Sequence, residues 1–373
     1  MDIQNRYGKM KTDSGRNYGI DLLRMIAMYM VIILHLLSVG KVIPSMTVLS
    51  AKYVTAWSLE MASFGAVNLF AITSGYVHYG RKTNYASLIQ LCLQVYFYTV
   101  LSTIAFYLLL PDRVNKRTIL DALLPYRIES YWYFISYICM FFFIPYINWM
   151  IDSLDRKSAF RLLSTCFVVF SLLTTVLLYD IGTLNRGYSC LWLMVMYVFG
   201  ACLKKYDVSV KLSRCLLGYL LCVALSLAGK TAIEAVTFKL HGKAEYGDLF
   251  ACYTSPFLVL GSVSLFLLFK NLSLRSISVN IVKFFAPATF GVYIIHMEPL
   301  IKDLLFTDRF ISYASFPAPL MVCCVLGTAL AIWLICAMTD KLRLAVFKAV
   351  KIPLLCKSVE NKMKILLRAI LIS

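Results

Sequence analysis

Long apolar runs, separated by short clusters of charged and turn-forming residues, follow one another from about residue 19 to residue 340. A helix needs about 20 mostly apolar residues to cross the hydrocarbon of a bilayer. Ten stretches qualify: 19–40, 57–79, 86–110, 131–151, 161–180, 189–203, 213–230, 249–269, 285–304 and 318–339. The sixth is short and fits a tilted helix or one flanked by snorkelling side chains. No stretch has the ten-residue alternation of an outer-membrane barrel strand. The pattern predicts an all-α polytopic membrane protein with about ten transmembrane helices. Its parts are a basic tail at 1–18, one membrane domain at 19–340 and a second basic tail at 341–373.

Ten spans put both ends on one side, and the positive-inside rule says which. The segments assigned to the cytoplasm hold 24 Lys and Arg, against 12 in the segments assigned outside. Both termini are therefore expected in the cytoplasm. The tail from Lys341 onward carries eight Lys and Arg, with Leu344, Phe347, Val350 and Leu354 near helical spacing. That combination predicts an amphipathic segment on the anionic inner leaflet. The first apolar run lacks a clear small-x-small cleavage site and is long enough to span, so it is expected to stay as a helix.

Composition agrees. Of 373 residues 60% are hydrophobic and only 15% charged, and the mean hydropathy is +0.76. A typical soluble chain has about 25% charged residues. The net charge of +18 could suit nucleic acid. The basic residues lie between apolar runs and in the tails, and do not interleave with aromatics in a stripe, which argues against a nucleic-acid partner. The 12 cysteines include no C-x-x-C pair and no Cys/His cluster at metal spacing, so they read as small buried hydrophobes and no metal is expected.

Ionisable residues inside a span are costly, at about 2.5–3.5 kcal/mol each on insertion scales, and mark candidate function. The first span, GIDLLRMIAMYMVIILHLLSVG, contains Asp21, Arg24 and His35. Eleven residues at 100° each bring His35 to within about 20° of Arg24, roughly 16 Å further along the same helix face. Asp21, three residues before Arg24, falls on that face too. Asp21 and Arg24 also lie near the inner interface, where they could snorkel or pair.

The second span, FGAVNLFAITSGYVHYGRK, has a polar, small-residue face of Asn68, Thr73, Ser74 and Gly75. It reads either as a close helix contact or as the wall of a narrow cavity. Arg81, at its cytoplasmic end, is a topology anchor or a phosphate holder. His78 reads as structural. In the ninth span, TFGVYIIHMEPL, His296 and Glu298 interrupt the apolar run as a polar plug or a reactive pair. Tyr131, Trp132 and Tyr133 open the fourth span, where aromatic-belt placement is the simplest expectation.

Four features in order resemble the acyltransferase-3 family of bacterial integral membrane O-acyltransferases. They are the R-x10-H of Arg24 to His35, NLFAITSGY at 68–76, YWYFISYICMFFFIPYI at 131–147 and TFGVYIIHMEPL at 289–300. The resemblance covers roughly 19–340, matches ten spans, and is to stand-alone members without a fused soluble domain. It implies a bacterial inner-membrane enzyme that passes an acyl group, usually acetyl from acetyl-CoA, to a sugar hydroxyl of a surface polysaccharide or a lipid-linked glycan precursor. It implies no bound cofactor, since acyl-CoA is a substrate. Carried across, His35 matches the essential family histidine and Arg24 its basic partner. Ser74 and Gly75 match the second-span Ser-Gly, and His296 matches the ninth-span histidine. Asp21, Asn68, Arg81, Trp132 and Glu298 complete the expected substrate-binding set.

The chemistry asks for such residues independently. A sugar hydroxyl needs a base as it attacks a thioester, and histidine is suited to that at neutral pH. The tetrahedral oxyanion needs a donor, and the CoA phosphates need cations. No P-loop or dinucleotide fingerprint occurs, so nucleotide recognition would rest on side chains and helix ends. A glycan exporter or flippase would also need a polar stripe through a bundle. A non-catalytic subunit of a polysaccharide-synthesis complex is a further alternative.

Overall fold

The computed structural model describes residues 16–372 and is all-helical, with no strand among the described residues. Side-chain oxygens at the helix starts satisfy the first free amides. Asn17 caps α1 (Tyr18–Leu37) by accepting from the Ile20 amide at 3.2 Å. Ser50 does the same for α2 (Ala51–Phe64), which gives way at Gly65 to α3 (Ala66–His78). There follow α4 (Tyr85–Leu109), the short α5 (Lys116–Leu123) and α6 (Trp132–Ser153). Next comes α7 (Arg156–Phe167), which runs through a π turn into α8 (Leu173–Val176). The rest are α9 (Cys190–Lys205), α10 (Leu212–His241), α11 (Pro256–Lys270), α12 (Ser276–Phe285), α13 (Thr289–His296), α14 (Pro299–Leu305), α15 (Ala318–Ala349) and α16 (Ile352–Ile372).

Seven helical stretches are long and apolar enough to cross a bilayer: 18–37, 85–109, 129–153, 156–176, 212–241, 276–296 and 318–349. The other three predicted spans are also helical but shorter or interrupted. They are α2 and α3 joined at Gly65, the 16-residue α9 and the 15-residue α11. Large apolar side chains such as Leu108, Trp149, Leu217 and Ile335 point outward, a surface that lipid solvates and water does not.

Several predicted boundaries move, each for a definable reason. The eighth span starts at Pro256 rather than 249, because proline suits the first turn of a helix and not its interior. The ninth is not continuous over 285–304. It breaks after His296, where Pro299 opens α14 and Glu298 caps it by accepting from the Ile301 amide at 3.0 Å. The seventh runs on to His241 because Lys230 and Glu234 pair inside the helix, beside Tyr53 and with the Lys230 ammonium 3.7 Å from the Trp57 ring centre. The tenth runs to Ala349 because Asp340 and Arg343 pair in the same way. The expected single amphipathic tail is two helices, divided at Lys351 with φ 58°. In α16, Glu360 accepts from the Tyr85 amide at 3.2 Å and ties the tail to the start of α4.

The bundle is built around α1, which packs against α2, α3, α11, α12, α13 and α15. The tightest approach is between α3 and α9. A Cβ on Gly75 would stand 2.0 Å from the Tyr197 carbonyl oxygen, and one on Gly200 only 1.9 Å from that of Ile72. The two backbones touch, so neither position admits a side chain without parting the helices. Gly75→Ala and Gly200→Ala are each expected to lower stability by about 1–3 kcal/mol, the scale of overpacking. Gly327→Ala, where an added Cβ meets nothing within 4 Å, is expected to be neutral or mildly stabilising. Melting temperatures of the purified variants in detergent check this, and an equal drop in all three would remove the backbone contact as the cause.

Candidate active site

One cavity of about 310 Å3 opens between α1, α2, α3, α6 and α13. From α1 it is lined by Arg24, Met28, Val31, Leu34, His35 and Ser38, the face that helical periodicity predicts. Arg24 and His35 thus share one chamber, roughly 16 Å apart along the helix axis. The Arg24 guanidinium stands 3.8 Å from Asp21, with 42% of its side chain exposed, and is left largely open to the cavity.

Behind His35 lies a chain of hydrogen bonds that assigns its tautomer. His296 is fully buried, and its Nδ1 lies 2.6 Å from the Val292 carbonyl oxygen. A carbonyl can only accept, so His296 Nδ1 carries the proton. In the neutral ring this leaves His296 Nε2 as an acceptor. It receives the Nδ1–H of His35 at 3.0 Å. His35 Nε2 then holds a free lone pair on a side chain that lines the cavity. Two tyrosines fix the backbone around this pair. The Tyr131 hydroxyl donates to the Ile294 carbonyl at 2.9 Å, and the Tyr293 hydroxyl to that of Ser130 at 2.8 Å.

The other expected site residues divide. Ser74 and Trp132 line the cavity. Gly75 does not, because its face is spent on α9. Asn68 is fully buried behind the wall, where it donates to the Tyr253 carbonyl at 2.9 Å and accepts from Trp192 Nε1 at 2.8 Å. Held there by both ends of its amide, it does not line the cavity. Asp21 turns away to Arg16 at 2.5 Å. Arg81 is exposed beyond the end of α3 and outside the cavity. Glu298 is a buried helix cap and forms no pair with His296. The aromatic belt expected at 131–133 is also corrected: Tyr131 is fully buried, and Trp132 and Tyr133 face the cavity. His78, expected to be structural, lines it as well.

Sequence reasoning missed Glu60, Tyr137, Tyr188, Tyr253 and Thr289, all on the cavity wall. Glu60 had a signal: it is a carboxylate inside a predicted span, the criterion that singled out Asp21. Tyr188 and Tyr253 lie just before the starts of α9 and α11 and carried no signal. The hydroxyls of Thr73 and Thr289 are buried without a partner among the described residues. Both threonines belong to the cavity wall.

Asn68→Ala would strand two buried groups, the Trp192 indole N–H and the Tyr253 carbonyl. A loss of about 2–6 kcal/mol is expected, at about 1–3 kcal/mol for each buried group left unpaired. Denaturation of the purified variant measures it. A wild-type melting temperature with weakened ligand binding would instead return Asn68 to the binding set.

The family model described as an acyltransferase domain, Acyl_transf_3, matches residues 17–338. No match was found among curated proteins or among solved structures. The match takes in every helix that lines the cavity, together with Arg24, His35 and His296, and spans nearly the whole chain. The chain belongs to the acyltransferase-3 family and is a multi-pass membrane acyltransferase.

Proposed function

We propose that the protein is an acyl-CoA-dependent O-acyltransferase of the bacterial inner membrane. In this reading it crosses the bilayer ten times with both termini in the cytoplasm. It transfers an acyl group, acetyl in the first instance, to a hydroxyl of a surface polysaccharide or its lipid-linked precursor. The observation that carries this reading is the free Nε2 of His35, backed by a second histidine and sharing a cavity with Arg24.

The steps follow from the residues. Arg24, at the cytoplasmic end of the cavity, holds phosphate oxygens of the CoA donor. At the other end, His35 Nε2 accepts the proton of the sugar hydroxyl as its oxygen attacks the thioester carbonyl. The imidazolium that forms keeps its Nδ1–H on His296, which holds the ring in place and shares its charge. The unpartnered hydroxyls of Thr73 and Thr289 are donors for the oxyanion. When the intermediate collapses, the C–S bond breaks and the thiolate takes the proton from His35. The ester and free CoA leave.

The topology has support of its own. Asn17, at the start of α1, donates to the Lys270 carbonyl at the end of α11, and Lys270 pairs with Asp207 at 2.8 Å. The Tyr79 hydroxyl donates to Asp152, and Lys205 reaches the carbonyls of Ile151 and Leu154. These are helix ends that the ten-span alternation assigns to the cytoplasm. Lysines reaching backbone carbonyls also suit a short span such as α9. In a cysteine-free background, Leu240→Cys is expected to react with an impermeant thiol reagent on intact cells and Lys357→Cys to resist it. Labelling of Lys357→Cys from outside would overturn the ten-span reading.

The reaction is tested by mass spectrometry of surface glycans from a deletion strain and its parent, before and after mild alkali. A transferase leaves an alkali-labile ester that disappears with the gene, whereas an exporter leaves only a displaced glycan. His35→Ala is expected to lower turnover by about 10²–10⁴-fold, the scale of general acid–base catalysis. His35→Gln should not restore it, because an amide accepts a hydrogen bond but no proton at neutral pH. A folded His35→Gln enzyme with near wild-type kcat would end the role of His35 as base.

A further inference from the structure

The end of the cavity remote from Arg24 holds a carboxylate that the acyl-transfer steps leave unused. Arg24 lies near the start of α1, which Asn17 ties to the end of α11. Trp132, Tyr188 and Tyr253 lie at the starts of α6, α9 and α11, at the opposite end of the bundle. Glu60, from α2, lines the cavity with them. It is 5% exposed, and its Oε2 is buried without a hydrogen-bond partner among the described residues. A buried polar group left unmatched is costly, so a bare carboxyl group on a cavity wall points to a hydrogen-bonding partner supplied from outside the protein. The buried lysine on that side, Lys230, is engaged: it pairs with Glu234 and seats its ammonium on the ring of Trp57.

Beside Glu60 stands an aromatic platform. The Trp132 ring lies 4.7 Å from Tyr188 and stacks at 27° on Tyr253, 5.9 Å away, while Tyr188 and Tyr253 are 4.8 Å apart. Tyr188 is 42% exposed, so the platform reaches the surface. A ligand for this place needs an apolar face for the rings and a hydrogen-bonding group for Glu60. An acyl chain brings no hydrogen-bonding group for Glu60. An ammonium could satisfy Glu60 and the rings together, but it would come to rest near the charge that Lys230 already holds one helical turn away on Trp57. A neutral pyranose brings axial C–H groups to the rings and hydroxyls to Glu60, with no added charge.

We propose that Glu60, Trp132 and Tyr188 form the acceptor subsite, in which a pyranose ring packs on the aromatic platform and hydrogen-bonds the Glu60 carboxyl group through a ring hydroxyl. That the bound ring is the acyl acceptor rests on the acyl-transfer reading above; that the subsite binds a pyranose does not. Glu60 here sets specificity and takes no proton in the reaction. It orients the ring and leaves the hydroxyl beside His35 as the one to be acylated.

The test is binding, measured by saturation-transfer NMR on the full chain in nanodiscs. The probes are the methyl glycosides of glucose, galactose, rhamnose and N-acetylglucosamine, with cyclohexylmethanol and choline as comparators. At least one glycoside is expected to receive saturation mainly on the C–H protons of one ring face, with cyclohexylmethanol and choline weaker. Glu60→Gln keeps the side chain's size but replaces one carboxyl oxygen with an amide nitrogen, and should weaken that glycoside about fivefold, the loss expected for a hydrogen bond. Tyr188→Ala, at the exposed mouth, should weaken it about fivefold without lowering the melting temperature. Saturation of no glycoside, equal affinity in wild type and Glu60→Gln, or choline binding more tightly than every glycoside would each overturn the proposal. The glycan ester assay separates the two readings. An ester lost on deletion while Glu60→Gln binds glycosides normally removes the subsite and keeps the reaction. Glycoside binding lost in Glu60→Gln, with no ester in the parent glycan, keeps the subsite and removes the reaction.

Discussion

A polar group inside a bilayer has no water to fall back on, and its hydrogen bonds must come from the protein. The contact between His35 and His296 meets this constraint and in doing so orders the site. His296 has one nitrogen on the Val292 carbonyl and the other on His35, so neither of its nitrogens faces the cavity unpaired. His35 has one nitrogen engaged and one free. Had both rings been fully satisfied, the pair would be inert; had neither been, the first helix could not be buried so deeply. The polar contacts around the pair serve the same end, since the hydroxyls of Tyr131 and Tyr293 stitch α6 to α13 on either side of it.

The same constraint explains why two helices outrun the apolar runs that suggested them. Lys230 with Glu234, and Asp340 with Arg343, sit one turn apart on their own helices and are almost wholly buried. Spaced three or four residues apart, opposite charges meet along the helix surface and the chain need not leave the apolar interior to solvate them. Partners from neighbouring helices complete both sets. Tyr53 donates to Glu234, and Gln94 and Tyr98 donate to Asp340. Polar residues that look like span ends in a one-dimensional reading are interhelical ties in three dimensions.

Much of the architecture was legible in the sequence because one helix carries one periodicity. The shared face of Arg24 and His35 needs only the helical repeat, and the cavity lining of α1 follows it from residue 24 to residue 38. The family could be read as well, from motifs that are local in sequence. What could not be read lay between helices. That Ser74 faces the chamber while Gly75 faces α9 is a choice made by the neighbour and not by the Ser-Gly pair itself. Asn68 looked available for a ligand until its partners, 124 and 185 residues away in sequence, were seen to occupy it. Tyr188 and Tyr253 come from connecting segments, where no repeat constrains direction. Glu60 was within reach and was overlooked beside the denser polar signal of the first span.

The tie around Asp340 has a mechanical consequence. Its carboxylate presses on the backbone of α13 at Gly291, where an added Cβ would lie 2.1 Å from the Asp340 Cγ. Gly291 stands five residues before His296, about 7.5 Å along the axis of the same short helix. Arg343, Gln94 and Tyr98 grip the other sides of that carboxylate. It acts as a detent: α13 cannot slide or rotate without lifting off a group pinned from three directions. The position of His296 behind His35 is therefore held by an ionic clamp that has no atom in the cavity, and loosening the clamp would shift the contact between the two histidines while leaving every cavity-lining residue in the sequence unchanged.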